Sequence, residues 1–300
     1  MRNFLIRTLK FGLFAVVYFF IIGSITWISI GFTHGFLSNR IAELKEIKNP
    51  DILFLGSSRC YRGFDTRIFA KQNIESFNLG SSAQSLEQSY LLLNKYLDQV
   101  NPKMVILEVS GRSLEADGIE STLDLLANVP LDVDLGCSAM VSRNPRTYLA
   151  LMSAIVRRCL SIAPIIRSNS RDHYVSGGFV ERVDPTYRDE KIFIPNSLSF
   201  KIREKNKESL DQIVELTKER GITLFLVQVP ILPQRYKTHS NRAEIDQFFA
   251  QRGVYLNFNK RLSILDADYF YDSSHLNNRG VSVFNESLLD ALQDRGLFHL

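Results

Sequence analysis

The stretch Asp51-Ile52-Leu53-Phe54-Leu55-Gly56-Ser57-Ser58 decides how this chain is read. Four consecutive apolar residues stopped by a glycine form the pattern of a strand buried on both faces and ending in a turn. A serine at a strand-to-helix turn presents its hydroxyl at the C-terminal edge of the strand, where the first free helix N–H groups can stabilise a developing oxyanion. Far along the chain, Asp272-Ser273-Ser274-His275 precedes a terminal helix. An Asp three residues before a His reaches its Nδ1 from the same turn and fixes the tautomer that leaves Nε2 to take a serine proton. Ser58, His275 and Asp272 are therefore the candidate nucleophile, base and orienting acid.

Working outward, the apolar runs Asp51–Gly56, Ser76–Leu79, Met104–Val109, Ile222–Val229 and Val254–Phe258 alternate with stretches of helical periodicity. The helical stretches are Phe64–Lys71, Gln84–Val100, Leu210–Arg220, Glu244–Arg252 and Val281–Gln293. Strands that are apolar throughout and alternate with helices predict an α/β fold with a parallel sheet covered on both faces. Between Val109 and Ile222 the chain is far longer than a crossover requires, so residues of about 110–221 are expected to form an insertion, with a helix around Thr147–Ile162.

The N-terminus is of another kind. Phe11 to Phe32 has no charged residue, and 22 residues are long enough to cross a hydrocarbon core of about 30 Å. A transmembrane helix over about 11–32 is expected; a cleaved signal peptide is the rival reading. Arg2, Arg7 and Lys10 precede the span, which favours an N-in orientation with the rest of the chain outside the cytoplasmic membrane. Residues 1–49 then comprise a tail, the span and a polar linker from Asn39 to Asn49, and residues 50–300 form the α/β domain.

The composition, 45% apolar and 23% charged, is that of an ordinary globular chain, with a net charge of +4. From Val141 to Leu210 there are 13 Lys or Arg against 7 Asp or Glu, so the insertion carries the positive charge. A solvated surface accounts for such a stretch; the alternative is an anionic partner, lipid headgroup or glycan, with Arg157 and Arg158 as its contacts. Cys60, Cys137 and Cys159 have no metal-like spacing. A Cys137–Cys159 disulfide with Cys60 reduced is one possibility in an oxidising compartment. Cys60 also stands two residues past Ser58 as a rival nucleophile, against the plainer reading of a small buried side chain. No cofactor, metal or nucleic-acid partner is expected.

The order strand, Gly-x-Ser, helix, then Gly80 after the second strand, then Asp-x-x-His before the last helix resembles the SGNH (GDSL-like) hydrolase superfamily over roughly Asp51–Val109 and Gly221–Gln293. Within it the chain looks most similar to membrane-anchored members acting on cell-envelope polymers, such as the D-alanyl transfer protein of teichoic acid synthesis and exopolysaccharide acetylation proteins. The resemblance implies a three-layer α/β/α, flavodoxin-like fold and places Ser58 at the nucleophile position, with Ser57 where the family usually has Asp. It implies that the N–H of Gly80, in the block Phe77-Asn78-Leu79-Gly80, helps hold the oxyanion. The family's third block, Gly-x-Asn-Asp, is replaced by Glu108-Val109-Ser110-Gly111-Arg112, so its oxyanion asparagine is missing and Ser110 is the available substitute. Arg59 and Arg62 would steer an anionic substrate toward Ser58.

Two functions follow. The first is a membrane-anchored, extracytoplasmic serine esterase or O-acyltransferase acting on acyl esters of cell-envelope polysaccharide. The second is a non-catalytic accessory that uses the same fold to bind glycan or to brace a membrane-bound acyltransferase.

Overall fold

The computed structural model describes residues 1–30, 36–161, 171–183, 197–263 and 265–297. Its strands are β1 (Ile52–Leu55), β2 (Ser76–Asn78), β3 (Met104–Glu108), the short β4 (Asp172–Tyr174) and β5 (Val180–Arg182), β6 (Thr223–Gln228) and β7 (Val254–Asn257). Five of them make one parallel sheet in the order β2-β1-β3-β6-β7, and β4 and β5 pair separately as an antiparallel hairpin. Leu55 lies opposite Leu107 and Glu108 opposite Val227, so the C-terminal ends of β1, β3 and β6 are level.

The helices are α1 (Arg2–Ile30), α2 (Leu37–Glu43), α3 (Ser58–Gly63), α4 (Thr66–Ala70), α5 (Leu86–Val100), α6 (Gly111–Glu115), α7 (Ile119–Asn128), α8 (Val133–Val141), α9 (Pro145–Cys159), α10 (Glu204–Glu219), α11 (Pro233–Thr238), α12 (Arg242–Ala250), α13 (Phe258–Arg261) and α14 (Asn278–Gln293). The pleat sorts the strand side chains by parity. Leu53, Leu55, Val105, Leu107 and Leu226 join the core under α5, α10 and α12, while Ile52, Phe54, Met104, Ile106, Phe225 and Val227 join the core under α3, α4 and α14. This is why the central strands β1 and β3 are apolar almost throughout: both faces are covered, giving the expected three-layer α/β/α arrangement. On the second face Phe54 stacks on Phe64 at 4.5 Å and packs against Phe69, and Phe284 of α14 closes the cluster over Phe64 and Phe258. Each such buried ring contributes roughly 1.5–3 kcal/mol.

The strand order places the reversal of winding at β1 and β3: β2 lies on one side of β1, and the chain then returns to the other. In open α/β sheets the loops leaving the C-terminal ends of strands at such a point diverge and leave a crevice. Here they are the loops that carry Ser58 and Ser110.

Two sequence expectations are corrected. The stretch Asn39–Asn49 is not a free linker, because α2 packs Leu37, Ile41 and Leu44 into the core and buries Arg40 completely, with its Nε donating to the Gly178 carbonyl at 2.7 Å. The apolar residues at 37, 41 and 44 have helical spacing that the polar residues between them mask. The thiols of Cys60, Cys137 and Cys159 are all free, Cys60 buried and the other two exposed, so the Cys137–Cys159 bridge is absent. The insertion is mainly α6 to α9 and the β4–β5 hairpin, whereas α10 is the crossover helix that packs on α5 before β6. The expected helix at Thr147–Ile162 runs from Pro145 to Cys159, capped at its N-terminus by Asn144; residue 162 lies outside the described residues. Helix α1 covers the predicted span up to Ile30, and residues 31 and 32 likewise lie outside. Its Asn3–Ile21 stretch is long and apolar enough to cross a membrane.

Candidate active site

Gly56 makes the turn after β1. Its φ is +142°, and a Cβ there would stand 2.6 Å from the Glu108 Cβ, so both conformation and space require glycine. The turn lets Ser57 cap α3 and puts Ser58 on its first turn. At the other end of the chain, Asp272 closes a tight turn: its Oδ1 accepts the N–H groups of Ser274 at 2.7 Å and His275 at 2.9 Å. The carboxylate is thereby aimed at the imidazole before the side chains interact.

These two turns meet. Ser58 Oγ lies 2.8 Å from His275 Nε2, and His275 Nδ1 lies 2.8 Å from Asp272 Oδ2 and 3.0 Å from its Oδ1. With the ring proton on Nδ1, donated to the carboxylate, Nε2 is the acceptor for the serine hydroxyl. Burial holds the His275 ring below the usual histidine range against the opposing pull of Asp272. Burial would raise the Asp272 carboxyl, yet the hydrogen bonds from His275 and from the two backbone N–H groups bring it below its ordinary value. The pair is thus a neutral imidazole beside a carboxylate, the state needed to accept a proton. Tyr271 stacks parallel on the His275 ring, with centroids 5.4 Å apart and 3° between planes, and fixes its tilt.

The remaining predicted residues fall into different roles. Asn78 is fully buried and faces inward: its amide donates to the carbonyls of Cys60 and Phe64, and its Oδ1 accepts the Gly80 N–H at 3.1 Å. The N–H of Gly80, expected in the oxyanion hole, is consequently engaged by Asn78. The need for glycine at 80 is steric, since a Cβ would meet Cys60 Sγ at 3.0 Å and the Gly56 carbonyl at 3.1 Å. The Ser58 N–H has no protein acceptor among the described residues and is the backbone donor left beside the nucleophile. Ser110 caps α6, its Oγ accepting from Arg59 Nη2 at 2.7 Å and from the Ser113 N–H at 3.3 Å. Ser110 lines the cleft that Ser58 and His275 share.

Neither Arg59 nor Arg62 is a free steering charge. Arg59 holds Ser110 and stands 3.4 Å from Glu108 Oε1, and Arg62 forms a two-pronged bond to Asp172 at 2.8 and 2.9 Å. Ser57 donates its hydroxyl to Glu108 Oε2 at 2.7 Å and its N–H to the same oxygen at 3.0 Å, so its hydroxyl is engaged and turned from the His275 ring, whose partner is Ser58. Cys60 is buried, and that burial together with nearby Glu108 pushes its thiol well above the ordinary range, which makes it inert.

The cleft has a volume of about 660 Å³. One wall comes from the insertion, with Ser110 to Ser113, Glu115 to Gly118, Glu120, Phe200 and Arg203, and another from Arg235 and His239 after β6. Sequence reading missed Glu108, Tyr271, Arg235 and His239. A glutamate ending an apolar strand at Glu108 is the one visible signal among them. Arg235 donates to the hydroxyls of Ser273 and Ser274, both at 2.7 Å, and so braces the turn that carries Asp272 and His275. His239 is buried edge-on against Phe200 at 4.7 Å; burial and the charges of Arg235, Arg59 and Arg242 lower its pKa to about 4. His173 is exposed on β4, and His34 and His299 lie outside the described residues.

No family model and no curated protein matches the chain. Solved structures similar to it include a GDSL-like lipase from Bacteroides thetaiotaomicron, 10% identical, with 86% of this chain and 98% of that chain covered and a TM-score of 0.44. An acylhydrolase from Bacteroides fragilis is 12% identical, with 86% and 95% covered and a TM-score of 0.43. The psychrotrophic esterase EstA from a Pseudoalteromonas species is 11% identical, with 81% and 97% covered and a TM-score of 0.41.

Proposed function

We propose that this chain is a serine esterase or O-acyltransferase, held in the membrane by α1 with its α/β domain on the extracytoplasmic side, periplasmic or at the cell surface, and that it acts on acyl esters of cell-envelope polysaccharide. The observation that carries the chemistry is the unbroken relay from Ser58 Oγ through His275 to Asp272, each step 2.8 Å. Ser58 Oγ attacks the acyl carbonyl as His275 Nε2 takes its proton, and the resulting imidazolium is held by Asp272. In this reading the Ser58 N–H and the Ser110 hydroxyl donate to the tetrahedral oxyanion. His275 then returns the proton to the leaving alkoxide. A second pass, with water or a glycan hydroxyl deprotonated by His275, releases the acyl group and regenerates Ser58. The polysaccharide assignment rests on the sequence resemblance to membrane-anchored envelope proteins.

An active-site-directed fluorophosphonate tests the chemistry: it should label the full-length protein at Ser58, and the label should be absent from Ser58→Ala. Reporter fusions after Pro50 should report an extracytoplasmic domain, and a cytoplasmic signal would remove the envelope reading.

A second reading, a glycan-binding accessory with no turnover, is favoured by one specific observation. The Gly80 N–H is bonded to Asn78 and the third-block asparagine is replaced by Ser110, which leaves the oxyanion site with fewer donors than the family pattern implies. Full biological activity of Ser58→Ala would select this reading.

A further inference from the structure

Two helices of the insertion are built inside out. On α8, Val133, Cys137, Met140 and Val141 recur at the spacing of one helix face and are all exposed, while the opposite face buries Leu135, Ser138 and Ala139. On α9, Met152, Ile155, Val156 and Cys159 are exposed, whereas the face turned inward is Thr147, Ala150, Ser153, Ala154 and Arg157. A helix facing water has the reverse distribution, and a contiguous apolar patch of this kind marks a contact surface.

Three features identify what covers it. Helix α9, which carries half of the patch, packs against α1, the helix that contains the apolar stretch Asn3–Ile21. Helix α2 begins seven residues after α1 ends and packs on α7, which in turn contacts α8 and α9; seven residues reach roughly 25 Å at most, so this corner of the domain stays close to the bilayer. From Val133 to Ser161 the only acidic residue is Asp134, against four arginines, and Arg143 and Arg146 stand exposed where α8 meets α9. An apolar face edged by arginines is the composition of a helix lying in a membrane interface.

We propose that the α8–α9 face is a second membrane contact, seated at the acyl–headgroup boundary of the bilayer that α1 crosses, with Arg143 and Arg146 among anionic headgroups. The inference rests on the reading of α1 as a retained anchor. A single span leaves a domain free to swivel; a second contact fixes it, so the cleft, one wall of which belongs to the same insertion, keeps one orientation to the membrane.

The native thiols provide the test, since Cys137 and Cys159 are exposed on this face and Cys60 is buried. The full chain, labelled with an environment-sensitive maleimide in Cys137→Ser and Cys159→Ser backgrounds, is reconstituted into phosphatidylcholine–phosphatidylglycerol vesicles. Both labels should be quenched by bromolipids and protected from aqueous iodide, and Val141→Asp with Ile155→Asp should reverse that preference while circular dichroism stays unchanged. A label at Leu13→Cys, with both native exposed thiols removed, reports α1 separately. Bromolipid quenching at Leu13→Cys together with iodide access at Cys137 and Cys159 would overturn the proposal and leave the anchor standing. Absence of bromolipid quenching at all three positions would remove the anchor reading as well. Protection from both quenchers that disappears on dilution of protein in lipid would assign the face to a second copy of the chain and also overturn the proposal.

Discussion

Glu108 Oε2 accepts both the N–H of Ser57 at 3.0 Å and its hydroxyl at 2.7 Å, so the last residue of β3 sets the turn that begins at the end of β1. The other carboxylate oxygen faces Arg59 at 3.4 Å, and Arg59 in turn holds Ser110. One buried side chain thereby positions both the loop of the nucleophile and the loop of the side-chain oxyanion donor. Glu108→Ala should cost roughly 3–5 kcal/mol, because it leaves the nearly buried Arg59 without its counter-charge. Ser57→Ala should cost only about 1 kcal/mol, since Glu108 keeps the Ser57 N–H. Guanidinium unfolding and the rate of fluorophosphonate labelling measure the two effects. Labelling of Glu108→Ala at the wild-type rate would show that the turn is set by Gly56 alone.

Arg157 caps α7, donating to the carbonyls of Leu126 at 2.9 Å and Ala127 at 3.1 Å from a side chain that is almost wholly buried. This corrects its assignment as a surface contact for an anionic partner. Arg157→Ala should lower stability by roughly 1–3 kcal/mol through the unpaired carbonyls, and charge reversal there should unfold the α7–α9 region. Reversal at Arg146, which is exposed, should leave the melting temperature unchanged. Thermal melts of the three variants decide the matter.

Charge totals misled at Arg157 because a sequence count cannot distinguish a cap from a surface cation. The same limit applies elsewhere. The strands, most helices and the pairing of Ser58 with Asp272-x-x-His275 were legible, because burial on both faces and the strand-to-helix turn leave contiguous signals. The direction of Asn78 was not: whether an amide at the end of a strand faces the cleft or the core depends on the carbonyls of Cys60 and Phe64, which α3 brings over it, and on the Gly80 N–H two residues on. Arg235 and His239 were illegible for a related reason. Their partners, Ser273, Ser274 and Phe200, lie more than thirty residues away and come together only through the sheet order.

Burial lowers the His275 ring below the ordinary value of 6.5. Protonation removes the acceptor for the Ser58 hydroxyl, so the acid limb of ester hydrolysis or probe labelling should fall below pH 6.5, with a plateau above it. Asp272→Asn should move that limb lower still, because the carboxylate is what favours the protonated ring. A pH–rate profile with a limb at or above 6.5 would contradict the buried setting. His239 gives a separate signal in stability. Its folded-state pKa of about 4 lies below 6.5, so its neutral form contributes stability that is fully present above pH 6.5 and lost as pH falls toward 4. The stability advantage of wild type over His239→Gln should shrink through that window.

The relay itself predicts non-additivity. Ser58 Oγ, His275 and Asp272 are joined in series by 2.8 Å contacts, so a proton that cannot leave Ser58 gains nothing from an intact His275, and an intact Ser58 gains little without its base. Ser58→Ala and His275→Ala should each abolish nearly all turnover of a small acyl ester, and the double variant should be scarcely worse than either. Asp272→Asn should be severe for a different reason: an amide donating to Nδ1 would favour the tautomer with its proton on Nε2, which faces Ser58 as a donor. Ser110→Ala should fall between, losing about 10–1,000-fold if its hydroxyl donates to the oxyanion. Steady-state rates of the four single variants and the double variant make the test. Losses that multiply between Ser58 and His275 would mean that the two act independently and that the contact at 2.8 Å is not the route of the proton.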